Sequence, residues 1–375
     1  GNGPLNAIVS YERIDEKIGV FYMKIAPVEP DWNSMIANLC RRGTPGRVFY
    51  FEHGIAPDVI SAIGELAGIE PANGKQEDVF RQRVACHRFL GHELFRVFPE
   101  GGRFRMPQSY VQEGFTDQRR GPVTCWKEFD AFQWPDARAA DFSELDWLDA
   151  HLPENQRAFH ALDVFESAKR VMGYEAMCMA LYDEPDLVQA VFDKIGALTV
   201  AIAETACDHP SYGGLYVVDD LGFKTSLLLD PESIRRLVLP WHKRLAEVLH
   251  NHGKLFLLHS CGNMYPLMDE FIDDIRVDAK HSFEDNILPV TEVKKIYGHR
   301  VALLGGMDID FLTRADETSI RAKTREMLSS CMPGGGYFFG ASNWITGEIP
   351  LENYLCMLDE ARRYDRESVT RISIE

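Results

Sequence analysis

The chain has 375 residues, 45% hydrophobic and 26% charged, which suits a globular protein with a large core. Its formal net charge of −17 repels phosphate backbones, and no Lys/Arg-rich block offsets this, so nucleic acid is not an expected partner. Eight scattered cysteines with no CxxC, no apolar run near the ~20 residues of a membrane helix and no leader pattern in residues 1–24 point to a reduced, cytoplasmic chain.

The segment 31–43, "DWNSMIANLCRRG", reads as a helix capped by Asp31 and ended by Gly43. "RVFYFEHG" (47–54) reads as a buried strand ending in Glu52 and His53. Residues 77–98 read as one long helix, 103–147 resist assignment, and 153–208 read as mainly helical with breaks near Gly173 and Pro185. From 213 the pattern sharpens. "GLYVVDD" is a short strand, followed by a helix over about 231–252. Asp230 is its N-cap, Pro231 its first residue and Gly253 its stop, and Pro240 should kink it. "KLFLLHSCG", "VDAKHSFED", "RVALLGGMD" and "GYFFGASN" are further strands, each followed by a helix. Such alternation argues for a parallel sheet covered on both faces. No GxGxxG follows any strand, which counts against a dinucleotide-binding domain. With three more strands from the first half, the economical architecture is a single α/β domain over residues 1–375, a (β/α)8 TIM barrel with extra N-terminal helices.

In such barrels active sites lie at the C-terminal ends of the strands. The strand ends here carry Asp219 and Asp220, then His259 and Cys261, then His281, then Asp308, then Ser342 and Asn343, with Glu52 and His53 at the first. His259 and Cys261 are two residues apart, so on an extended chain both face one side and can meet one metal ion or one substrate. Thiolate with imidazole suits zinc, but catalytic zinc takes three protein ligands, and the sequence supplies two here. Each residue also has a plain structural reading: Asp219 and Asp220 as loop caps, His281 as a bonded core histidine, Asn343 as a turn residue.

"DDLGFKT", "LLHSCGN", "LLGGMD" and "PGGGYFFGASNWITGEIPLENY" together resemble the uroporphyrinogen decarboxylase superfamily, and "RRGTPGRVFYFEHG" resembles the start of its methyltransferase-like members. The resemblance runs from about residue 35 to 365 and implies a single (β/α)8 barrel. One branch of that superfamily decarboxylates uroporphyrinogen with no metal or organic cofactor; the other holds zinc methyltransferases that move methyl groups between corrinoid proteins and thiols. The decarboxylase branch carries an arginine-rich N-terminal motif that grips carboxylates, and this chain lacks it. The zinc enzymes carry an HxC, matched by His259 and Cys261, and a second cysteine that falls here at Asn343. Cys331 is a poor substitute, because roughly 16 Å of strand would separate it from the mouth. Asp219, Asp220, Glu52 and His281 remain as third-ligand candidates.

The reading is therefore a methyltransferase-like enzyme acting between a small substrate or thiol and a corrinoid on a partner protein. His259 and Cys261 would hold zinc or contact substrate, and Asp219, Asp220, His281 and Asn343 would serve catalysis. Glu52, His53, Asp308 and Ser342 would line the substrate pocket. The alternatives are decarboxylation of uroporphyrinogen or another polycarboxylate, and a non-catalytic ligand-binding barrel. A corrinoid protein and a second copy of the chain are the partners left open; a membrane is not expected.

Overall fold

A computed structural model describes residues 25–98 and 118–372, with two short strands, Val111–Gln112 and Phe115–Thr116, between them. Residues 1–24, where no leader pattern was expected, and part of the unassigned 103–147 stretch lie outside the described residues. Seven strands run in parallel: β1 (Leu94–Arg96), β2 (Arg157–Leu162), β3 (Tyr212–Val218), β4 (Leu255–His259), β5 (Ala279–His281), β6 (Ala302–Leu304) and β7 (Tyr337–Phe338). They pair in chain order, each with the next, as βα connections require.

The eighth position is taken by the segment 48–51. It joins β7 through one bridge, Tyr50 with Phe339, in which the Phe51 amide donates to Phe339 O (3.0 Å) and the Phe339 amide to Phe49 O (2.7 Å). Among the described residues no ladder joins this segment to β1, so the sheet is an open, TIM-like curve and not the closed eight-stranded ring expected. Side chains cross the seam instead. Arg47 pairs with buried Glu93 below, and Arg96 Nη1 donates to His53 O (3.5 Å) above.

Side-chain alternation divides two cores. Phe49, Phe51, Leu94, Phe159, Ala161, Tyr216, Leu257, Ala279, Ala302, Leu304 and Phe338 pack together on the inner face, while Tyr50, Phe95, Leu215, Val217, Phe256, Leu258 and Leu303 face the helices. This phase decides which residue at each strand end reaches the mouth.

Three stretches differ from their sequence reading. The expected helix 77–98 is helical only over Gln76–Leu90; Gly91 then ends it in a left-handed conformation and β1 follows. The stretch 153–208 opens with β2 before its helices Phe165–Met172, Tyr174–Asp183 and Pro185–Cys207. "RAFHAL" is short and carries no β-branched residue, so tertiary pairing decides its state. The helix expected over 231–252 breaks at Val238 into Pro231–Leu237 and Leu239–Asn251, where Pro240 cannot donate back to the preceding turn. Asp31 and Asp230 cap their helices as the sequence indicates, accepting from Ser34 N (3.1 Å) and Ser233 N (2.9 Å).

Candidate active site

The inner face ends in a polar cluster at the C-terminal mouth. His259 closes β4 and is buried, its ring in line with inward Leu257. Two residues on, Cys261 Sγ lies 3.3 Å from His259 Nε2. Asp220, past the end of β3, accepts from the Cys261 amide through Oδ1 (2.8 Å), and the same oxygen lies 3.4 Å from His259 Nε2. The ligating atoms of Asp220, His259 and Cys261 all lie within 4.8 Å of one another. Burial pushes the Asp220 carboxyl up, yet the neighbouring His259 and the hydrogen bonds from Cys261 outweigh it and hold the group well below the usual carboxylate range. Burial, reinforced by the Asp220 charge, pushes the Cys261 thiol up to about 12.

Asn343 and Ser282 complete the surroundings of the sulfur. Asn343 Nδ2 stands 3.7 Å from Cys261 Sγ and Ser282 Oγ 3.5 Å from it. Asn343 Oδ1 meanwhile accepts from the Trp344 amide (2.9 Å), which fixes the amide so that its NH2 faces the sulfur. Gly262 N donates to Glu284 (2.8 Å), and Lys280 Nζ donates to Ser260 O (3.3 Å) and also bonds Ser282 O, so the two loops that bear Cys261 and Ser282 are tied together.

Deeper in, three imidazoles assemble. His281 Nδ1 is 2.8 Å from His259 Nδ1, and its Nε2 is 3.1 Å from Ala341 O. His53 stacks on His259, ring centroids 4.4 Å apart and planes 12° apart, while Trp344 meets its edge at 5.8 Å. His53 Nδ1 is buried with no hydrogen-bond partner. Burial, with the two neighbouring imidazoles adding to it, lowers the His53 pKa well below the usual histidine value. Burial is also the main cause for His281, which is lowered likewise. Both rings are therefore neutral near pH 7. The ligating atoms of His53, His259 and His281 are mutually close as well, but parallel stacked rings send their in-plane lone pairs past each other, so His53 and His259 make poor partners on one ion.

Three expected site residues are placed elsewhere. Asp219 faces outward, because the alternation that turns Tyr216, Val218 and Asp220 inward turns Val217 and Asp219 toward the helices. Its carboxylate, 0% exposed, accepts from Val164 N (3.0 and 3.1 Å), Glu166 N (3.0 Å) and His242 Nε2 (2.6 Å). It caps the helix Phe165–Met172 and leaves the cleft to Asp220. Glu52 is likewise one residue out of phase with His53. It turns outward and accepts from Ala341 N (3.2 Å), and burial raises its pKa to about 8. Asp308 caps the helix Ile309–Arg314, accepting from Asp310 N (2.9 Å) and Phe311 N (3.1 Å). Ser342 is buried at the rim with its amide on Met307 O (2.7 Å), and its hydroxyl makes no hydrogen bond to the cluster. Cys331 ends the helix Glu317–Cys331 on the side of β7 away from the mouth.

The sequence reading passed over four neighbours. Tyr216 OH lies 3.2 Å from His259 Nδ1, and its place four residues before Asp220 on one strand was the available signal. Arg96 sits over the rings of Phe98 (5.2 Å) and Trp344 (5.1 Å), hidden in sequence within a run that reads as helix. Ser282 and Trp344 adjoin residues already singled out.

The uroporphyrinogen decarboxylase (URO-D) family model matches residues 165–364, more than half of the chain. The protein belongs to the uroporphyrinogen decarboxylase family. The chain is 27% identical over 192 residues to the methylated-thiol–coenzyme M methyltransferase of Methanosarcina mazei; the aligned stretch covers 50% of this chain and 48% of that protein. The chain thus matches about half the length of that curated relative. Among solved structures, a methyltransferase from Methanosarcina mazei superposes with a TM-score of 0.64 at 15% identity, covering 90% of this chain and 99% of that one, which supports the TIM-like fold. This member of the family therefore resembles its methyltransferases. None of its described helices is long and apolar enough to cross a membrane.

Proposed function

We propose that the protein is a metal-assisted methyltransferase that moves a methyl group between a small substrate or thiol and a corrinoid carried by a partner protein. The observation that carries the reading is the convergence of one carboxylate, one imidazole and one thiol, from Asp220, His259 and Cys261, within 4.8 Å of one another. Three mixed O, N and S donors fit catalytic zinc, which keeps its fourth position for substrate. The donor set holds one thiolate where the family's zinc enzymes carry two, and the Asp220 carboxylate supplies the third ligand. When bound, zinc would lower the pKa of a thiol substrate and keep it as thiolate near neutral pH.

The other side chains serve that centre. Asn343 and Ser282 point hydrogen-bond donors at the Cys261 sulfur and temper the charge of its thiolate. The Cys261 amide holds Asp220 in reach of the same point. His53, Tyr216 and Trp344 wall the inner side with aromatic surface, which excludes water from the sulfur that is to be methylated. The Asp220 side chain is 37% exposed, so the centre is reached from the mouth. In transfer to a thiol, the S–CH3 bond would form as the cobalt–carbon bond of the partner's corrinoid breaks, with that bond's electron pair left on cobalt. The likeness to methyltransferases supports this chemistry, and the thiol in the relative's name, coenzyme M, is a reasonable first acceptor to test.

The test is incubation of the zinc-loaded protein with methylcobalamin and coenzyme M, following the corrinoid spectrum and the methylated thiol. Demethylation that is lost in Cys261→Ala is the expected result. Absence of transfer in both directions with several thiols, from a protein that holds zinc, would refute it, and conversion of uroporphyrinogen by the same preparation would replace it with decarboxylation.

A further inference from the structure

The glycine pair in "LLGGMD" is left without a task by the reading above. Gly305 adopts φ +76, and a Cβ there would lie 2.2 Å from Ala341 O and 2.9 Å from His281 Nε2. Real Cβ contacts do not come so close, so the absence of a side chain at 305 is what lets that carbonyl and that ring nitrogen meet at 3.1 Å. A carbonyl only accepts, so His281 Nε2 carries a hydrogen. In a neutral ring the other nitrogen, Nδ1, then presents a lone pair. That lone pair faces His259 Nδ1 at 2.8 Å. Two lone pairs at that distance repel, so His259 Nδ1 must carry the hydrogen between them. Tyr216 OH, 3.2 Å from the same nitrogen, accepts a share of it.

We infer that His281 is a positioning residue: the relay from Ala341 O through His281 fixes the tautomer of His259, with Nδ1 protonated and Nε2 presented to Asp220 and Cys261. The consequence for metal binding rests on the function proposed above, whereas the tautomer belongs to the metal-free chain. Without the relay, Tyr216 can donate to Nδ1 and the Asp220 carboxylate can draw the hydrogen onto Nε2, which blocks the ligating atom. Histidines that bind metals use a hydrogen bond from the far nitrogen in this way, and loss of such a partner costs about 10–100-fold in metal affinity. Here the partner is a second imidazole whose own tautomer is set by the main chain.

The experiment is nitrogen NMR of the metal-free protein labelled with 15N-histidine, in alkaline solution where the rings are neutral, with His259→Gln used to assign the His259 signals. The wild type should show His259 protonated at Nδ1. In His281→Phe the hydrogen should move to Nε2, and zinc affinity should fall about 10–100-fold. His281→Asn, whose side-chain oxygen can accept near the position of Nδ1, should restore both. A wild-type His259 protonated at Nε2, or a His281→Phe protein with unchanged tautomer and unchanged zinc affinity, would overturn the inference. If the wild type shows the Nδ1 tautomer but binds no zinc, the relay stands and the metal-centred function fails. The wild-type spectrum decides the tautomer even if the phenylalanine variant does not fold.

Discussion

Asp219→Ala separates the two neighbouring aspartates by what each one holds. The carboxylate of Asp219 accepts from two main-chain amides and from His242 Nε2, and both Asp219 and His242 are fully buried. Removing it leaves the start of the helix Phe165–Met172 and a buried imidazole without their acceptor. An orphaned buried hydrogen-bonding group costs about 1–3 kcal/mol. Three donors share this one carboxylate, so the losses overlap, and the expected total is about 3–5 kcal/mol. Urea unfolding followed by circular dichroism measures this as a lower midpoint at an unchanged slope. Asp220→Ala is the counterpart: its partly exposed side chain predicts a change within about 1 kcal/mol and a loss of metal binding. An Asp219→Ala protein as stable as the wild type but unable to bind metal would refute the division between them.

Glu52 gives a pH signature. Its folded pKa of about 8 lies above the unfolded value of 4.5, so the folded state holds a proton that the unfolded state has lost between those limits. Its contribution to stability is therefore fully present below about pH 4.5 and is lost as pH rises toward 8. Measured against pH, Glu52→Gln should gain on the wild type across that window and run parallel to it outside; a constant difference would show that Glu52 is ionised throughout. Gly305→Ala should lose about 1–2 kcal/mol from its left-handed backbone alone, with the contact on Ala341 O adding to that, and a melting temperature equal to wild type would contradict the geometry. Asn343→Cys should place a second thiol beside Cys261, so the cobalt(II)-loaded variant should absorb more strongly in the sulfur-to-metal charge-transfer region than cobalt(II)-loaded wild type. An unchanged spectrum would show that residue 343 does not reach the metal.

The second half of the fold was legible because each strand there is a short apolar run ending in polar residues and followed by an amphipathic helix. The first half hid β1 and β2. "LFR" follows a helix with only "GHE" between them, and "RAFHAL" carries no period of its own, so both depend on neighbours distant in sequence. Strand ends told which residues come near the mouth, but not which face they take. That information lies in the phase of the inner core: Tyr216, Leu257 and Ala279 lead by twos to Asp220, Cys261 and His281, while Asp219 and Glu52 fall out of phase and turn to the helices. In sequence His281 reads first as a bonded core histidine and only second as a site residue. The structure shows it buried and bonded to His259.

The most direct test of the metal centre is elemental analysis after zinc loading and exhaustive dialysis, run on the wild type and on Asp220→Ala, His259→Ala and Cys261→Ala. One equivalent of zinc is expected in the wild type and a marked loss in each variant. A wild type that retains none, or a Cys261→Ala protein that retains as much as wild type, would contradict it.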